Sequence, residues 1–137
     1  MPLDPILIRE TRAWLVKASN DLRGAEIDLA AIPALTEDAL FHCQQAAEKT
    51  FKAFLMFHNS PFRKTHNLEE IGEAWLRITP TLKKFVDEAV PLTEYAWAFR
   101  YPGDPETPKH EEAQLALSVA KRVYESILEL LPAETHP

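Results

Sequence analysis

Residues 41–53 read Phe41-His42-Cys43-Gln44-Gln45-Ala46-Ala47-Glu48-Lys49-Thr50-Phe51-Lys52-Ala53, and the periodicity of this stretch decides the fold. At 3.6 residues per turn, Leu40, Ala47, Phe51 and Phe54 share one helix face, while Phe41, Gln45, Lys49 and Met56 share an adjacent one. A helix with two partly apolar faces needs two neighbours, which places it inside a bundle. Upstream, Pro33 breaks the preceding element, Thr36 offers an N-cap hydroxyl, and Glu37 and Asp38 suit the positive end of the helix dipole. The helix is therefore predicted from Thr36 to about His58.

Before it, Leu15, Ala18, Leu22, Ala25 and Leu29 alternate at spacings of 3 and 4, predicting a long first helix from about Ile6 to Ile32 with a narrow packing seam. After it, Ser60-Pro61-Phe62-Arg63-Lys64-Thr65 reads as a loop, and Asn67 followed by Glu70 marks the start of a short helix ending before Pro80. Thr79 or Thr81 then caps a further helix, bearing Leu82, Phe85, Ala89, Tyr95, Ala96 and Phe99 and kinked at Pro91. Tyr101 to Pro108 holds three prolines and a glycine and must be a loop. The last helix, from about Lys109 to Leu131, carries Ala113, Ala116, Ala120, Val123, Ile127 and Leu130 on its seam. The expectation is an all-α, up-and-down bundle of four long helices and one short one, a single domain spanning residues 1–137 with residues 133–137 as a frayed tail.

Composition narrows the function classes. With only three glycines and no alternating apolar pattern, a strand-rich fold is excluded. The most apolar run, Phe51 to Phe57, is interrupted by Lys52, so no membrane span is expected. The N-terminus lacks the pattern of a secretory signal and Cys43 has no disulfide partner, both of which agree with a cytoplasmic location. A net charge of −6 opposes non-specific binding to long nucleic acid, and no DNA partner is expected. One stretch runs the other way: Gln45 to His66 holds Lys49, Lys52, Arg63 and Lys64 against Glu48 alone, a local charge of +3.

The stretch quoted above resembles the Gln-Gln-Ala-x-Glu-Lys-x-x-Lys-Ala signature of HEPN domains, matched by Gln44 to Ala53. Three further features fall in family order: Ala18-x-x-Asp21-Leu22, Thr65-His66-Asn67-Leu68 and Arg100-Tyr101-Pro102. The resemblance implies a helical bundle that dimerises and is often paired with a small nucleotidyltransferase in a toxin–antitoxin-like or nucleotide-handling system. Many members resemble one another as metal-independent ribonucleases, with an Arg, four to six intervening residues and a His near the start of the last helix. Here nine residues separate Arg100 from His110, three of them proline, and Glu111 and Glu112 follow where nucleotide-modified members carry a tyrosine shortly after the His. The chain departs from the nuclease pattern.

Candidate ligand-binding residues are Gln45, Lys49, Lys52, His66, Arg100 and Tyr101. The first three project from neighbouring helical positions and could meet phosphate oxygens beside Arg63, Lys64 and His66, against the plainer reading of a solvated face with Glu48 and Lys52 as an ion pair. His66 precedes a helix N-terminus, where free N–H groups favour an anion, or serves to fix the loop. Arg100 and Tyr101 combine a cation with a stacking ring, or pair with an acid and pack on the bundle. If the protein were a ribonuclease, His110 would be the general base and Arg100 would stabilise the phosphorane. No metal site is expected, since the histidines show no His-x-x-x-His spacing. No cofactor is expected beyond a bound nucleotide.

Three readings follow. The leading one is a non-catalytic HEPN protein, a homodimer through its first and last helices, that binds a nucleotide or serves as partner of a small nucleotidyltransferase. The others are a metal-independent ribonuclease toxin acting on RNA, and a helical protein–protein interaction module.

Overall fold

The computed structural model describes residues 3–99, 101–103 and 107–137. Among the described residues, five α-helices make up the fold: α1 (Pro5–Ala30), α2 (Thr36–Phe57), α3 (Leu68–Ile78), α4 (Lys83–Ala89) and α5 (His110–Leu130). Short 3-10 segments at Pro80–Leu82, Val90–Ala96 and Ala133–Thr135 complete it, and no strand occurs among the described residues.

Thirteen of the 22 residues of α2 are buried, so it is the central helix, as its two apolar faces require. It packs along α1 and also against α3, α5 and the Val90–Ala96 segment. The α1 seam is closed by Leu15, Ala18, Leu22 and Ala25, all buried, and the α5 seam by Ala113, Ala116, Ala120, Val123 and Ile127. The alanines keep the helix axes close by leaving little side chain between them. Trp75 on α3 anchors the other side of α2. Its ring is fully buried, lies 4.0 Å from the Phe51 ring, and its indole N–H donates to the Phe51 carbonyl at 2.8 Å. Beneath it, Gly72 has room for no more than a hydrogen, because a Cβ there would lie 2.5 Å from Val86 Cγ1.

Local chemistry explains the helix ends. Asn67 accepts from the backbone N–H groups of Glu69 and Glu70 and so caps α3. At the end of α2, Asn59 takes a positive φ of 52°, with Ser60 N–H bonded to Leu55 O and Asn59 N–H to Met56 O. This is the Schellman closure that satisfies the last carbonyls of a helix.

Four details differ from the sequence expectation. Thr36 is the first helical residue of α2 rather than its cap, and Leu35 stands at the cap without a side-chain bond. The fourth helix is not long: Pro80 and Pro91 each remove an N–H, leaving one seven-residue α-helix between two 3-10 segments. Leu130, expected on the α5 seam, is half exposed, whereas Leu131 is buried. The helix stops at Leu130, and the extended backbone of Leu131 turns its side chain into the core instead. The tail expected to fray is docked: Thr135 is fully buried, His136 Nε2 lies 2.8 Å from Leu128 O, and Arg12 bonds Glu134 O.

Candidate functional site

The polar residues of α2 do not form the free cationic face that a local charge count suggests. Lys49 reaches across to α1, where its ammonium sits 2.6 Å from Asp21 Oδ2. Lys52 is buried and donates to Glu48 Oε2 at 3.0 Å, with its ammonium over the rings of Trp14, at 5.6 Å, and Phe62, at 5.8 Å. Glu48, equally buried, also takes Gln44 Nε2 at 3.1 Å and lies 2.7 Å from His66 Nδ1 on the loop before α3. Gln45 donates to Gln44 Oε1 rather than to the outside. The glutamine that closes the network, Gln44, also donates to the His66 carbonyl and so ties the loop to α2.

Beside this network, His42 projects from the next turn of α2 toward α1. Its Nδ1 lies 2.8 Å from Asp21 Oδ1, and its Nε2 faces Asp38 Oδ2 at 3.4 Å and Asp28 Oδ2 at 3.9 Å. Gly24 makes room for the ring, since a Cβ there would lie 3.1 Å from His42 Nε2. The turn between α1 and α2 brings the two acids together, with Leu35 N–H bonded to Asp28 O. Burial, followed by a hydrogen bond to and the charge of Asp38, raises the Asp28 carboxyl to about 6, partly opposed by His42. Across the two clusters, Asp21, Asp28, Asp38 and Glu48 face Lys49 and Lys52, so the local balance is negative with the histidines neutral. The count over residues 45–66 missed this because Asp21 and Asp28 come from another helix and Asp38 from an earlier turn of α2.

Of the other candidates, Tyr101 is exposed and Arg100 lies outside the described residues. His110 opens α5, its Nε2 3.5 Å from the Leu29 carbonyl. It lines an open groove of about 630 Å³ between α1 and α5 with Glu26, Leu29, Leu117, Lys121 and Arg122. Arg63, on the loop before α3, is bonded to Glu70. Cys43 is fully buried, as expected for a small core residue, and burial together with the charges of Asp21 and Asp28 pushes its thiol up to about 12. Native protein is expected to resist iodoacetamide at Cys43 and to react rapidly once unfolded, as mass spectrometry of the labelled chain would register.

A central helix sandwiched in an all-α bundle, with Gln44 and Gln45 turned into its polar network, is the helical-domain architecture that the sequence resemblance implies. The model of the HEPN domain matches residues 11–131, and the chain belongs to the HEPN family. Comparison with curated proteins and with solved structures found no match. No helix among the described residues is long and apolar enough to cross a membrane.

Proposed function

We propose that this HEPN protein is a non-catalytic partner subunit, a homodimer through α1 and α5 whose cognate is a small nucleotidyltransferase chain. One observation carries the non-catalytic reading: four of the cations around the two candidate sites already end on carboxylates. Lys49 is held by Asp21, Lys52 by Glu48, Lys121 by Glu26 and Arg122 by Glu88. A ribonuclease must attract a polyanion, and here each of these pairs would have to open against a net charge of −6. Nucleotide binding on Gln45, Lys49, Lys52 and His66 would meet the same obstacle. The outer faces of α1 and α5, in contrast, leave Ile27 60% and Leu115 68% exposed. Apolar side chains on the two helices that flank a groove of mixed charge suit a self-complementary contact.

The test is light scattering of the full chain at micromolar concentration. The expected mass is twice that of the 15.6 kDa chain, and Leu115→Glu, which alters an exposed side chain and spares the core, is expected to halve it. A monomeric wild type, or a dimer indifferent to Leu115→Glu, would overturn the proposed interface. RNA cleavage by the pure protein that His110→Ala abolishes would overturn the non-catalytic reading.

A further inference from the structure

We propose that Asp28, Asp38 and His42 form a binding site for one divalent transition-metal ion of the zinc class, independent of the partner role above. The three residues offer one nitrogen and two carboxylate oxygens lying within 4.8 Å of one another. Oxygen and nitrogen ligands about 2.1 Å from a tetrahedral ion stand roughly 3.4 Å apart. The separations of His42 Nε2 from Asp38 Oδ2, 3.4 Å, and from Asp28 Oδ2, 3.9 Å, are near that spacing.

Two features of the cluster point to a ligand. Asp28 is 8% exposed, and its Oδ2, aimed at His42 Nε2, receives no N–H donor; Asp38, the side chain in hydrogen-bonding reach of its carboxyl, is itself an acid. An orphaned buried carboxylate oxygen is costly unless something positive meets it. The second observation is the far side of the imidazole. Asp21 Oδ1, 2.8 Å from Nδ1, is placed to accept the Nδ1–H, and Lys49 holds the other oxygen of Asp21. With Nδ1–H donated to Asp21, the lone pair that a metal would use, on Nε2, faces Asp28 and Asp38. This carboxylate–histidine arrangement is how metal-binding histidines are oriented, with the ligand nitrogen left bare. A lone pair facing two carboxylates is repulsive without a cation between them. A divalent ion supplies that cation, and two carboxylates with a neutral imidazole cancel its charge. Asp38 is 56% exposed at its side chain, so the site opens to solvent and leaves a fourth position for water. The competing occupant is a proton, which would make His42 an imidazolium bonded to the same two acids.

The experiment titrates zinc chloride into chelator-treated full-length protein by calorimetry, with cobalt(II) absorption as a second readout of coordination. One ion per chain is expected, with a higher melting temperature. Asp38→Asn changes an exposed carboxylate without altering its shape, and it and His42→Gln are expected to weaken binding by at least about tenfold, as is the positioning variant Asp21→Asn. Gly24→Ala is expected to weaken it as well, by pressing on the His42 ring. No binding at millimolar zinc would leave the proton as occupant and overturn the proposal. Binding unchanged in both Asp38→Asn and His42→Gln would mean adventitious zinc on other histidines, and would overturn it equally.

Discussion

Glu48→Ala is expected to destabilise the fold by about 3–5 kcal/mol, because it strands a buried lysine without its counter-charge. Lys52 is 6% exposed and Glu48 4% exposed, so neither can exchange its partner for water without moving the helix. The rings of Trp14 and Phe62 over the Lys52 ammonium recover only about 0.5–2 kcal/mol of the lost interaction. His66 and Gln44 lose an acceptor in the same step, which frees the loop before α3. The double variant Glu48→Leu with Lys52→Met separates charge from packing. It removes both ions and keeps comparable volume, and is expected to lie within about 2 kcal/mol of wild type or above it, since apolar replacement of a buried pair is often neutral or favourable. Urea denaturation of the three proteins makes the comparison. A Glu48→Ala protein within about 1 kcal/mol of wild type would mean that Lys52 escapes past Trp14 to solvent, a cost no larger than that of an exposed pair.

This pair also shows how far the sequence could be read. The spacing of Glu48 and Lys52 along one helix made their ion pair legible, though as part of a solvated face whereas both are buried, and the seams of α1 and α5 made the bundle legible, because pairing and seams are properties of a single helical period. Whatever depends on two elements meeting was not. Lys49 looked available for phosphate until α1 placed Asp21 against it, 28 positions earlier in the chain. Asp38 and His42 are one helical turn apart along α2, but Asp28 joins them only because the turn after α1 folds back. Residues gathered from two helices leave no metal-ligand spacing along the chain. The broken fourth helix had a visible cause in Pro80 and Pro91. What the sequence underweighted was their combined effect: with two N–H groups missing, a segment this short has too few remaining bonds to hold one continuous α-helix. The docked tail gave no signal at all, since the bonds of His136 go to carbonyls freed by the end of α5.

Trp75→Ala is expected to cost about 3–5 kcal/mol, a large part of the 5–15 kcal/mol that holds a typical small domain together. The loss has three sources that coincide at one side chain. Its fully buried indole leaves a large cavity, for which the neighbours can relax only in part. The ring contacts with Phe51, at 4.0 Å, and Phe54, at 5.3 Å, add about 0.5–1.5 kcal/mol each beyond burial. The indole N–H also gives up its bond to the Phe51 carbonyl, a bond of about 1 kcal/mol net. Trp75→Phe keeps most of the ring and is expected to lose mainly that last contribution and a smaller cavity. Trp97 is the internal comparison, a tryptophan 56% exposed whose ring meets His66 edge-on at 6.4 Å. Trp97→Ala is expected to change stability by no more than about 0.5 kcal/mol, as at most surface positions. Thermal and urea unfolding of these variants would rank them Trp75→Ala, Trp75→Phe, Trp97→Ala in decreasing cost. Equal costs for Trp75→Ala and Trp97→Ala would mean that α3 does not depend on Trp75 to hold it against α2. Because α3 meets α2 through Phe51 and Phe54, on the side of the helix away from Lys49, loss of Trp75 should unfold the protein without first releasing Lys49 from Asp21.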